Sequence, residues 1–120
     1  MSQVTVAQAI QMGLEHHRAG RFAEAEAIYR QVLAGSPNDA AARNDFALSL
    51  MLEGRTRQAL ETLAPMQDVD GSPQRLKTNL GILYAATGNA QRSRQLLGDR
   101  VSDGDVSALT RALAEGRGVP

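Results

Sequence analysis

The sequence predicts an all-α fold: a short right-handed α-α superhelix of three antiparallel helix pairs, followed by a C-terminal capping helix. Two observations carry the prediction. Gly20, Gly54 and Gly88 recur at a spacing of 34 residues, each joining two stretches of helical periodicity. Seven residues before each glycine stands a small residue (Gly13, Ala47, Gly81), and five after it another (Ala25, Ala59, Ser93). Nine after it stands a large one: Tyr29, Leu63, Leu97. Where two helices cross closely only Gly, Ala or Ser fits, and the large neighbours fill the hollows between ridges. Several columns agreeing in one register are hard to produce by chance.

The elements follow in order. Helices are expected near 4–19 and 22–34, with Gly20 as a left-handed C-cap between them and Gly35 and Pro37 ending the second. A third, near 39–53, starts with Asp39 as its N-cap and stops at Gly54. The fourth, near 56–64, is cut short by Pro65, which leaves 65–71 as the irregular loop of the chain. Ser72-Pro73 reads as an N-cap followed by proline at the first helical position of a fifth helix, near 73–87. Gly88 separates that helix from a sixth near 90–98. Ser102-Asp103-Gly104-Asp105 is a capping-box pattern, and Val106, Leu109, Ala112 and Leu113 follow at helical spacing. A helix over 103–115 would cover the apolar flank that a stack of helix pairs leaves at its end.

The chain of 120 residues and 12.8 kDa is one domain's worth. Residues 1–116 are assigned to it, with units at about 6–39, 40–73 and 74–102, and 117–120 form a disordered tail. Thirteen basic and thirteen acidic side chains cancel, and aromatics are 3% of the residues. Nucleic acid, which favours a net basic face or stacking rings, is therefore not an expected partner. Cysteine is absent, which removes disulfides and thiolate chemistry and leaves packing to hold the fold. No apolar run reaches the ~18 residues that span a bilayer. The expectation is a soluble cytoplasmic protein with no membrane insertion, or a periplasmic one if a leader has been trimmed.

These residues resemble the tetratricopeptide repeat, a 34-residue unit with an L-G-x-x-Y element, then A-x-x-x-F, then proline. Leu80-Gly81-Ile82-Leu83-Tyr84 matches the first element, and Ala25 to Tyr29 with Pro37 matches the rest. The likeness covers about residues 6–98. It departs in the usual tryptophan column, which holds Ala9, Arg43 and Lys77, and at His16 and Leu50, where tyrosine is common. A closer likeness joins the stretches Arg43 to Leu50 and Thr78 to Gly88 to bacterial TadD-type proteins of tight-adherence pilus assembly.

Candidate chemistry is sparse. Adjacent His16 and His17 point about 100° apart on a helix and cannot chelate one ion as an i, i+4 pair would. Asp68-Val69-Asp70-Gly71 and Asp103-Gly104-Asp105 lack the spacing and closing glutamate of a calcium loop, so turn chemistry explains them. Glu24 and Glu26 read as a solvated face, as do Arg92 and Arg94. No nucleophile elbow or phosphate loop is present, so no enzyme, metal site or cofactor is expected.

The resemblance implies a surface instead. In that family the first helix of each pair lines a concave face that holds peptides or helices. The columns facing it here would be Ile10, Leu14 and His17, then Asn44, Leu48 and Met51, then Thr78, Ile82 and Ala85. The competing reading places several of these in the core or beneath the C-terminal helix. A subclass that grips C-terminal carboxylates would use the columns of Ile10, Leu14, Asp45, Arg75 and Asn79; only Arg75 suits that task, and Asp45 would repel the ligand. An apolar groove instead suits the apolar face of a partner helix or peptide. The expected function is a non-catalytic module scaffolding a bacterial assembly. The alternative is a small chaperone of a secretion or pilus system that shields one subunit before export. End faces of such stacks also admit self-association.

Overall fold

A computed structural model describes residues 4–67, 71, 73–98, 104, 108 and 111 of the chain. Among them run the helices α1 (Val6–Arg18), α2 (Phe22–Gly35), α3 (Ala40–Leu52), α4 (Thr56–Leu63), α5 (Gln74–Ala86) and α6 (Ala90–Leu97). They pack as three hairpins, α1 on α2, α3 on α4 and α5 on α6. Each hairpin leans on the next, through α2 on α3 and α4 on α5, while α3 also touches both α1 and α5. The all-α architecture of paired antiparallel helices is therefore the observed one. Most of the expected capping helix, 103–115, lies outside the described residues, as do the tail and most of both Asp-Gly turns.

The three hairpin turns are built alike, and the backbone explains why glycine recurs there. Gly20, Gly54 and Gly88 have φ of 78°, 81° and 93°, the left-handed region in which a side chain is strained. In each, the glycine N–H donates to the carbonyl three residues back (His17, Met51, Ala85), and the next N–H donates to the carbonyl five back (His16, Leu50, Tyr84), at 2.7–3.1 Å. That double hydrogen bond is the Schellman closure of a helix C-terminus.

Within each hairpin the small and large columns meet. A Cβ built on Gly13 would sit 2.8 Å from Tyr29 Cζ, and one on Gly81 would sit 2.5 Å from Leu97 Cγ. Ala25, Ala59 and Ser93 are wholly buried. Tyr29 then stacks on Phe46 of α3, ring centroids 5.5 Å apart, and so joins the first hairpin to the second. Leu50, Leu63, Leu76, Leu80 and Leu83 continue that core along the stack. Among the described residues, the buried hydroxyls of Tyr29 and Ser93 have no hydrogen-bond partner. Tyr84 is only half-buried, and its hydroxyl donates to Gln67 Oε1 at 2.7 Å.

Several local details refine the sequence reading. Asp39 caps α3 as expected, its Oδ1 accepting from the Ala42 N–H at 2.9 Å. Thr5 and Gln8 form a capping box at α1 that the sequence reading passed over. Pro73 occupies the N-cap of α5 rather than its first helical position, because Gln74 begins the helix, and Ser72 lies outside the described residues. Pro65 ends α4 early, as its missing N–H requires, and the chain continues as one 3-10 turn over Ala64–Met66. Arg43, in the column where the family has tryptophan, does the bracing of a hairpin by polar means. It donates to the Pro37 carbonyl at 2.6 Å and to the Thr62 carbonyl at 2.8 Å.

Glu26 corrects the reading of a plain solvated face. Its carboxylate accepts two 3.1 Å hydrogen bonds from Arg55, at the start of α4, and one of 2.9 Å from Arg30. The side chain is half-buried, whereas Glu24 is exposed. Arg92 is likewise half-buried and donates to Gln67 and Gln95, while Arg94 is exposed. A spacing of 29 residues between Glu26 and Arg55 has no signature in a single helix, so the pairing was invisible until the hairpins were placed.

The Arg55 hydrogen bonds hold the Glu26 carboxyl below its ordinary value of 4.5, against an opposing push from burial, with Arg30 adding to the lowering. A carboxylate whose pKa falls on folding stabilises at and above the ordinary value and loses that contribution as pH drops below it. Glu26→Gln is therefore expected to cost about 1 kcal/mol at pH 7. By pH 3 the variant should melt with the wild type, as thermal unfolding followed by circular dichroism will read.

Candidate functional site

The first helices of the hairpins are α1, α3 and α5, and α3 touches both of the others. Residues spaced three or four apart share a helix face, which aligns Ile10, Leu14 and His17 on α1, Asn44, Leu48 and Met51 on α3, and Thr78, Ile82 and Ala85 on α5. The nine are unequally available. Ile10, Asn44, Met51 and Ala85 are buried, whereas Leu14, His17, Leu48, Thr78 and Ile82 are half-buried. The accessible strip is therefore formed by Leu14, Leu48 and Ile82, one from each helix, with His17 and Thr78 beside them.

Two of the polar residues are engaged in the seams between helices. A 2.6 Å hydrogen bond joins Ser49 Oγ to His17 Nδ1, tying α3 to α1, and the His17 ring also lies 5.0 Å from that of Phe22. Asn79 Nδ2 donates to Asn44 Oδ1 at 2.8 Å, tying α5 to α3. Thr78 donates back to the Gln74 carbonyl of its own helix. These hydrogen bonds join neighbouring first helices, while Leu14 and Ile82 pack against the core from its edge. The partners of Ser49 and Asn79 lie 32 and 35 residues away, off the 34-residue period by two residues and by one, so periodicity does not reveal these bonds.

Leu52 also went unassigned to the strip. It stands one turn beyond Leu48 on the same face and is 40% exposed. Ala86, one turn beyond Ile82, is half-buried. Arg18 and Arg75 lie on the outer columns of the same face, both exposed. Asp45, half-buried beside Arg75, has its carboxyl raised by burial and by Asp39, with Arg75 opposing.

His16 and His17 serve separate partners: His16 Nδ1 accepts from Arg21 Nε at 2.8 Å, while His17 meets Ser49. Among the described residues no group of three His, Cys, Asp or Glu is placed to hold a metal ion. None of their helices is long and apolar enough to cross a membrane. Open notches among the described residues lie apart from the strip. A notch of about 290 Å³ opens at the N-terminal end, among Val4, Val6, Ala9, Ile28 and Val32. Another, of about 260 Å³, lies between α2, α3 and α4 under Arg30 and Arg43.

Comparison with known proteins agrees with this geometry. The family model described as tetratricopeptide repeat matches residues 16–78, just over half of the chain. The TPR repeat-containing thioredoxin TTL4 of Arabidopsis thaliana is 32% identical over 81 residues, 68% of this chain. The inactive TPR repeat-containing thioredoxin TTL3 of the same plant is 31% identical over 84 residues, 70% of this chain. In both cases the matched region spans 12% of the relative's length. No solved structure matches. The chain belongs to the tetratricopeptide repeat family, whose domains mediate protein–protein interaction and are typically non-catalytic.

Proposed function

We propose that the concave face of α1, α3 and α5 is a docking groove for an amphipathic helix or peptide of a partner protein, and that the chain scaffolds a larger assembly by holding it. The observation that carries this reading is the run of accessible aliphatic side chains Leu14, Leu48, Leu52 and Ile82 across three neighbouring helices. An apolar strip that crosses several elements presents anchor sites at the spacing of a helix face, and burying it is worth roughly 25 cal/mol per Å². Met51 lies beneath the strip and can adjust its shape to an occupant. The likeness to TadD-type proteins supports a place in bacterial pilus assembly. The matched region is 12% of those relatives' length, and this chain carries no cysteine.

Leu48→Lys combined with Ile82→Lys tests the groove. Both positions are half-buried, Ile82 at the edge of the core, so the helical circular-dichroism signal should stay near that of the wild type and the melting temperature should fall only modestly. Partners recovered by affinity capture from the native cell, identified by mass spectrometry, should be lost by more than tenfold, since a charge facing an apolar anchor leaves it desolvated and unpaired. Unfolding of the double variant would return both residues to the core and end the groove reading.

A further inference from the structure

The concave columns differ from the rest of the chain in the charge they carry. Thirteen acids balance thirteen bases overall. Yet on the columns of Ala7, Ile10, Leu14, His17 and Arg18, followed at 34-residue steps through α3 and α5, the only formal charges are Arg18 and Arg75, and Asp45 stands in the neighbouring column. Both are exposed, and neither forms a salt bridge among the described residues. The acids of these helices lie off the strip. Glu15 is exposed and accepts from Gln11 on its own helix. Glu53, at the end of α3, turns to Arg55 at 3.7 Å. Asp45 is half-buried beside Arg75, which opposes the upward push of burial on its carboxyl.

The two arginines occupy opposite corners. First helices in successive hairpins lie about 10 Å apart, so α1 and α5 are separated by about 20 Å across the groove. Arg18 is near the end of its helix and Arg75 near the start of its own, a difference of about 16 Å along the axes. The diagonal between them is about 25 Å, the length of about 17 helical residues. Leu14, Leu48, Leu52 and Ile82 lie between.

We infer that the occupant is an amphipathic helix of a partner protein whose apolar stripe is flanked at both ends by Asp or Glu, one end meeting Arg18 and the other Arg75. The inference rests on the groove reading and adds the chemistry of the partner. An acid at each end gains a guanidinium partner, whereas a basic residue there faces like charge over the apolar floor. The same two charges select the lie of the ligand, along the diagonal that joins them.

The test uses the full chain and two synthetic 20-residue helical peptides with one shared Leu/Ile stripe at i, i+3, i+4 and i+7 spacing. One carries Glu near both ends, the other Lys. The Glu peptide is expected to bind about tenfold more tightly at low salt, with the gap closing near 1 M as screening removes the charge contribution. Arg18→Glu with Arg75→Glu should reverse the preference, and Arg18→Gln with Arg75→Gln should abolish it without reversal. Both sites are exposed, and circular dichroism confirms each variant's fold. Equal binding of the two peptides would overturn the acidic-helix inference while leaving the groove in place. Failure of both peptides to bind would remove the groove reading and the inference together.

Discussion

Tyr29→Ala should cost the fold about 3–5 kcal/mol, a large share of the 5–15 kcal/mol that holds a domain of this size together. Tyr29 is wholly buried, fills the space left by Gly13 and stacks on Phe46 of the next hairpin. Truncation therefore leaves a cavity inside the first hairpin and also removes a contact to the second. Tyr29→Phe should be neutral or stabilising by about 1 kcal/mol, because the buried hydroxyl has no partner and its removal relieves an unmet hydrogen-bonding demand. Urea unfolding midpoints will separate the two. Were Tyr29→Phe as damaging as Tyr29→Ala, the hydroxyl rather than the ring would be the stabilising part. Titration gives an independent check. Burial, with Asp45 adding to it and Arg18 opposing, pushes the Tyr29 hydroxyl up to about 12 from its ordinary 10. A group whose pKa rises on folding keeps its contribution below the lower value and loses it as pH climbs toward the higher one. The wild type should thus lose stability between about pH 10 and pH 12 more steeply than the phenylalanine variant.

Gly81→Val is the second large expected effect, a loss of about 2–3 kcal/mol. A Cβ alone would lie 2.5 Å from Leu97 Cγ, closer than atoms pack, and valine adds two methyl groups to that clash. Leu97→Ala, which removes the obstruction but opens a cavity, should by itself cost about 2–5 kcal/mol. The double variant should be destabilised by clearly less than the sum, since the new side chain occupies the space the old one vacated. Gly35→Ala is the control. Gly35 lies in α2 with nothing within 4 Å of an added Cβ, so alanine there should be neutral or gain up to about 1 kcal/mol of helix propensity. Additive behaviour of Gly81→Val and Leu97→Ala would mean that the small and large columns do not answer each other across the hairpin.

Those two columns also explain what could be read from the residues alone. Every described helix lies within two residues of its expected bounds, because each boundary is set locally, by a glycine with positive φ, by Asp39 or by Pro65. Leu14, Leu48 and Ile82 could be aligned for the same reason, since they occupy one column of a strict period. What escaped were pairings off that period. The bonds from His17 to Ser49 and from Asn79 to Asn44 depend on how far a side chain reaches across a seam. The Glu26 clamp on Arg55 joins the second helix of one unit to the turn of the next, a relation that helical periodicity does not encode. Exposure escaped as well. Leu52, the last residue of α3, is 40% exposed, which helical periodicity alone does not show.

The three alike turns have a further consequence for how this molecule can change length. Each connects its two helices by the same pair of hydrogen bonds, with almost no slack between Gly20 and Phe22 or between Gly54 and Thr56. One extra residue there would rotate the following helix by about 100° and swing Ala59, or its counterpart, out of the crossing. A whole added or deleted unit disturbs none of these relations. Evolution or an engineer can therefore extend the stack only in complete modules, each arriving with its own closure and its own share of the binding face.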